Sequence, residues 1–228
     1  MKLSELAFPL VLVSFLTEAG PLIVPVELHP GDHYRLAFVT SASRDATDSD
    51  ITKYDTFVND AANNSDSILP SGQQWLAIAT AGSGSGLVLA RDHIGSITVP
   101  IFNVLGQRLG HEASDIWDGD LTHSFSYNEF GESVSGSVWT GAAKNGTVGV
   151  PSLALGETFV MTGNPNEADK EWINNDVRNS MNKLHLYGIS ASDLIVPSAV
   201  PEPATFGVAL LGVLGMIGAM RFRSRRTS

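Results

Sequence analysis

The chain contains no cysteine, which excludes disulfide staples, thiolate nucleophiles and Cys-based zinc sites together. Whatever holds the fold must be its own core. Positive charge is also scarce: between residues 20 and 203, 9 Lys and Arg face 22 Asp and Glu, a balance of −13. So acidic a surface repels polyanions, and neither nucleic acid nor anionic lipid is expected as a partner. Catalytic signatures are missing as well. His33, His93, His111, His123 and His185 are scattered, no His-Glu-x-x-His pattern occurs, and no Gly-x-Ser-x-Gly elbow precedes a helix. The glycine and serine stretch Gly82 to Gly86 lacks the Lys-Ser/Thr ending of a phosphate loop and reads as a turn. An enzyme is therefore not expected.

What is present is most informative at the two ends. Lys2 precedes the apolar run Leu6 to Leu16, followed by Thr17-Glu18-Ala19-Gly20. This order predicts a signal peptide over 1–20, with Glu5 and Pro9 as departures from the pattern. At the other end Val200-Pro201-Glu202-Pro203 leads into Ala204 to Met220, 17 residues without charge, and then Arg221, Arg223, Arg225 and Arg226. Prolines keep the approach extended. As a helix the apolar segment spans about 25 Å, slightly short of the ~30 Å hydrocarbon core, and the arginines hold its far end on the cytoplasmic side. The arrangement predicts a linker over 196–203, a transmembrane helix over 204–220 and a basic cytoplasmic tail over 221–228.

Triplet, short helix and arginine cluster, in that order, resemble the PEP-CTERM sorting signal of Gram-negative bacteria. The resemblance implies recognition of Val200, Pro201, Glu202, Pro203 and the four arginines by an exosortase. It further implies passage through the export machinery and an inner-membrane precursor. Cleavage near the triplet then delivers the upstream part to the cell surface or extracellular matrix.

Residues 21–195 remain as one domain, long enough to bury a core. Tyr34, Leu36 and Phe38 alternate as in a half-buried strand. Ile51, Tyr54, Phe57, Val58, Ala61 and Ala62 are spaced as one helix face, with Asp48 or Ser49 expected as its cap. That expectation accounts for the acidic group Asp45, Asp48, Asp50 and Asp55 without a ligand. Trp75 to Ala79, Val99 to Asn103, Leu105 to Leu109, Val138 to Gly141 and Leu184 to Ser190 read as short strands or strand ends, and Asn145-Gly146 as a tight turn. Asp115, Asp118 and Asp120 cluster around Gly119, and Asn128-Glu129-Phe130-Gly131-Glu132 follows. Oxygen donors at this density suit calcium, although the same residues serve hairpin turns equally well.

The order of these segments is similar to a C-type lectin-like domain of the endostatin-like and bacterial surface kind. The resemblance runs from Tyr34 to Ser190 through Trp75, Trp117-Asp118-Gly119, Trp139-Thr140-Gly141 and Trp172. It implies an α+β fold with short antiparallel strands, one or two helices and long loops. It also implies a ligand set near Asn164, Asn166, Asn174, Asn175 and Asp176, where Asn164-Pro165-Asn166 and Trp172 to Asp176 echo the family's calcium and sugar triplets. The expected protein is thus a surface-sorted binding or structural module for which polysaccharide is the candidate ligand. Two alternatives remain: a secreted hydrolase of matrix polysaccharide, with carboxylates about 5 to 10 Å apart, and an unprocessed single-span membrane protein.

Overall fold

Strand β1 (His33–Val39) is buried from Tyr34 onward, and in the computed structural model, which describes residues 24–198, its side chains feed two separate cores. Tyr34, Leu36 and Phe38 enter one, while Ala37 and Val39 enter the other. The predicted alternation is right. The strand is wholly rather than half buried, because structure lies on both faces of the sheet. The expected signal peptide (1–20) and the sorting tail with its apolar segment 204–220 lie outside the described residues. Among the described residues no helix is long and apolar enough to cross a membrane.

After β1 come helix α1 (Ile51–Ala62), β2 (Trp75–Ala77), α2 (Ala90–Ile94), β3 (Ile101–Asn103), β4 (Arg108–Gly110) and α3 (Ala113–Ile116). Then follow β5 (Val138–Trp139), β6 (Phe159–Gly163), β7 (Asp176–Asn179), β8 (His185–Ser190) and β9 (Leu194–Ile195). The strands lie in the order β4-β3-β1-β8-β5-β6-β7, with β2 added to β8 and β9 to β1. The α+β class is as expected. Two details are not. The β1–β3 and β5–β8 pairs are parallel, so the sheet is mixed rather than antiparallel, and the described residues hold three α-helices rather than one or two. Short α2 and α3 carry too few apolar repeats to register as helices in the sequence.

Helix α1 closes one face. Ile51, Tyr54, Val58 and Ala62 are its buried residues, and they pack with Phe38, Trp75 and Trp139. Its cap is Asp50, not Asp48 or Ser49: the Asp50 carboxylate accepts from the Thr52 amide at 3.0 Å. The Thr52 hydroxyl, which donates to the same carboxylate at 2.8 Å, and the Thr52 amide hold the Asp50 carboxyl below its ordinary pKa. Asp48 is occupied differently, since its carbonyl accepts the buried Tyr54 hydroxyl at 2.7 Å. Burial pushes that phenol well above its usual pKa. Close approach of helix to sheet depends on Gly188 in β8, where an added Cβ would overlap Phe38 and Val58.

β8 and β9 both pair antiparallel with β1, but in registers that differ by two residues. The chain bulges at the step. Arg35 fills it, its side chain 11% exposed, donating to Asp193 at 2.6 Å and to the Ser190 carbonyl at 2.5 Å. The domain therefore closes on a strand, β9, immediately ahead of the expected linker over 196–203. Leu194 and Val196 are buried, and the Val196 amide bonds the Asp32 carbonyl.

Candidate functional site

The second core, opposite α1, is organised by stacked aromatics. Trp172 stacks on Phe125 at 5.1 Å and 22°, and Phe125 lies 4.4 Å from Tyr187. The Tyr187 hydroxyl donates to the Trp172 carbonyl at 2.6 Å, and complete burial raises the Tyr187 pKa well above normal. Trp117, which ends α3, extends the stack outward at 5.9 Å and 30° from Trp172.

Trp117 is the half-buried member, and beside it opens a cleft of about 430 Å³ lined by Arg91, Asp92, Gly95, Ser96, Ala113 and Trp117. The Asn145-Gly146 turn predicted from the sequence forms here. Gly146, at φ +70, sits against the Trp117 ring so closely that a Cβ would come within 2.8 Å of it, and its carbonyl accepts from the Arg91 amide. Three chain segments are thereby locked around one indole. Arg91 and Asp92 pair loosely at 3.4 Å with roughly half or more of each side chain exposed, so both can re-pair with a ligand. The cleft offers a flat apolar edge, a guanidinium, a carboxylate and a hydroxyl, a set that suits a polyhydroxylated ligand.

The predicted site residues lie elsewhere. Asp118 and Asp120 border a neighbouring pocket of about 210 Å³ with Lys144, Asp169 and Lys170, where the Asp118 carboxylate accepts from the Asp120 amide. Asp115 instead accepts from the His111 amide at 2.8 Å. Among the described residues no group of three or more His, Asp or Glu is placed to hold a metal ion. Asn128 closes its own turn by accepting from the Phe130 and Glu132 amides, the hairpin role the sequence also allowed.

Asn164, Asn166, Asn174 and Asn175 belong to the connection between β6 and β7, and Asp176 opens β7. Most are tied within the chain: Asn164 accepts from the Asn166 amide, Asn166 accepts from the Ser126 hydroxyl, and the Asn175 amide bonds the Thr162 carbonyl. Asp176 holds Arg178 at 2.8 Å and the Val177 amide at 2.7 Å.

Two arrangements gave no signal in the sequence. Asp55, grouped there with the capping acids, turns inward to accept from the Ala77 amide at 2.8 Å and to meet His93 Nε2 at 2.9 Å. It thus ties α1 to β2 and α2. Glu129, grouped in the sequence with the turn and calcium oxygens, is 2% exposed and instead accepts from the Ser41 amide and hydroxyl at 2.9 and 2.5 Å. It borders a pocket of about 310 Å³ with Phe57, Asp60 and Asn64.

No curated protein matches the chain. Residues 199–226 match the PEP-CTERM protein-sorting motif. That match supports an exosortase substrate, made as a membrane-anchored precursor and sorted to the surface.

Proposed function

We propose that the chain is a non-enzymatic, surface-displayed binding module of the extracellular matrix, with a C-type lectin-like ectodomain that takes polysaccharide and needs no cofactor. The sorting motif at 199–226 carries the address. The Trp117 cleft supports the binding half: an indole edge flanked by Arg91, Asp92 and Ser96 can pack the apolar face of a sugar ring while the polar groups take its hydroxyls. Export places the domain among polysaccharides. Its acidic surface favours neutral or cationic glycans over acidic ones.

Two measurements test the halves separately. Mass spectrometry of the surface-released protein in its native host should find a C-terminus near Pro201 to Pro203; a chain ending at Ser228 would reject processing. On a glycan array, Trp117→Ala should lose at least tenfold in binding signal, and added calcium should leave the wild-type signal unchanged. Silence of the wild-type protein on every glycan rejects the binding half and leaves a structural matrix role.

A further inference from the structure

The far edge of the sheet carries features that the binding reading does not use. β7 is the last strand in the order, and Asp176, Val177 and Arg178 are all exposed. It pairs only with β6 among the described strands, in the register Thr162↔Asp176, Met161↔Val177, Val160↔Arg178, Phe159↔Asn179. The Ser180 amide bonds the Thr158 carbonyl in that same register, so alternation turns the backbone groups of Arg178 and Asp176 toward β6 and those of Val177 outward. Among the described residues the outward Val177 amide is met only by the carboxylate of its neighbour Asp176.

Pairing also sorts the side chains by face. Phe159, Met161 and Val177 share one face, on which Phe159 is 54% and Val177 38% exposed, with Met181 at 76% close by in sequence. Asp176 and Arg178 share the other. The sequence Asp176-Val177-Arg178 is consequently its own complement. If a second β7 lies antiparallel with Val177 opposite Val177, each Asp176 falls opposite an Arg178 of the other copy. The same register makes Val177 a reciprocally hydrogen-bonded pair, which its outward amide and carbonyl require.

We propose that β7 is a two-fold self-association edge, where a second copy of this chain adds across Val177 and joins the two apolar patches of Phe159, Met161 and Val177. Charge complementarity selects the occupant. The ectodomain is strongly acidic, so two copies repel over most of their surface, whereas this edge is locally balanced and matches itself. In the free chain the Asp176 carboxylate shields the Val177 amide, as edge strands commonly need. On association that carboxylate passes to the facing Arg178 and the amide to the facing carbonyl. The interface is isologous and closes at two copies.

The absence of cysteine makes the test specific. In the full-length chain exported by its host, Val177→Cys introduces a single thiol at the dyad, where facing Cα atoms about 5.5 Å apart suit a disulfide. Mild oxidation should give a disulfide-linked dimer on a non-reducing gel at ten or more times the yield from Val150→Cys, a more exposed apolar site elsewhere. In the Val177→Cys background, Asp176→Arg or Arg178→Asp alone should cut that yield severalfold, and the two together should restore it. Equal yields from positions 177 and 150, or a double exchange no better than the single ones, would overturn the proposal.

Discussion

The two faces of the sheet are covered in opposite ways. One is closed by α1, a 12-residue helix whose buried positions fall at Ile51, Tyr54, Val58 and Ala62. The other is closed by α2 and α3, of five and four residues, and by loops gathered on the Trp172 stack. A helix satisfies its own backbone and needs only an apolar stripe. Loops need an anchor, and here aromatic rings supply it. The anchored side is also where the Trp117 cleft lies, because loops can open a concavity that a packed helix face fills.

The largest expected effect falls on the loop face. Trp172→Ala removes the ring that Trp117, Phe125 and Tyr187 share and should cost about 3–5 kcal/mol in urea unfolding. The same substitution should abolish glycan binding even where the protein stays folded, because Trp117 loses its support. A cost under about 1 kcal/mol would mean that the stack is not the anchor. On the helix face the matching change is Gly188→Ala, which forces Phe38 and Val58 apart and should cost about 2–3 kcal/mol. It should leave binding intact, which separates the two faces. Asp193→Asn leaves the largely buried Arg35 without its counter-charge and should lower stability by about 1.5 kcal/mol.

The smallest effect is one of pH. Hydrogen bonds from Lys183 and Thr47 hold the Asp45 carboxyl at about 2, below its ordinary 3.8. A depressed folded-state pKa stabilises above the unfolded value, so this contribution is complete above about pH 4 and is lost as pH falls from there through about 2. The pair lies at the surface, so its worth is below about 1 kcal/mol. Asp45→Asn should remove that part of the acid sensitivity and shift the unfolding midpoint at pH 7 only slightly; unchanged acid unfolding between pH 4 and 2 would show that the pair contributes nothing.

The same contrast governs what could be read from the residues alone. Strand β1 was legible because Tyr34, Leu36 and Phe38 alternate, whereas β4 (Arg108–Gly110) lies later than the expected Leu105 to Leu109 because Leu105 and Gly106 turn the chain; helix α1 was legible because its apolar spacing repeats over three turns. Its cap was misplaced by one or two residues because Asp48, Ser49 and Asp50 are all competent caps, and only backbone geometry selects among them. Asp55 sits beside Tyr54 in the same helix, yet its partners Ala77 and His93 lie 22 and 38 residues away, a distance no local pattern encodes. β9 escaped because two residues cannot display a period. The cleft escaped for a related reason: Arg91 to Ser96 and Ala113 to Trp117 meet only through the fold. Its one local cue, Asn145-Gly146, announced a turn without naming the indole beneath it.

The bulge between β8 and β9 has a mechanical meaning. Traction arriving from the direction of residue 198 reaches Val196 first, then the two rungs that join Leu194 and Ile195 to Tyr34 and His33, and then the ionic bolt of Asp193 on Arg35. Only beyond that bolt does the pull enter β8, on which β1, β2 and β5 all converge. A domain hung by its last residues would thus yield its final short strand as a fuse and keep the remainder whole.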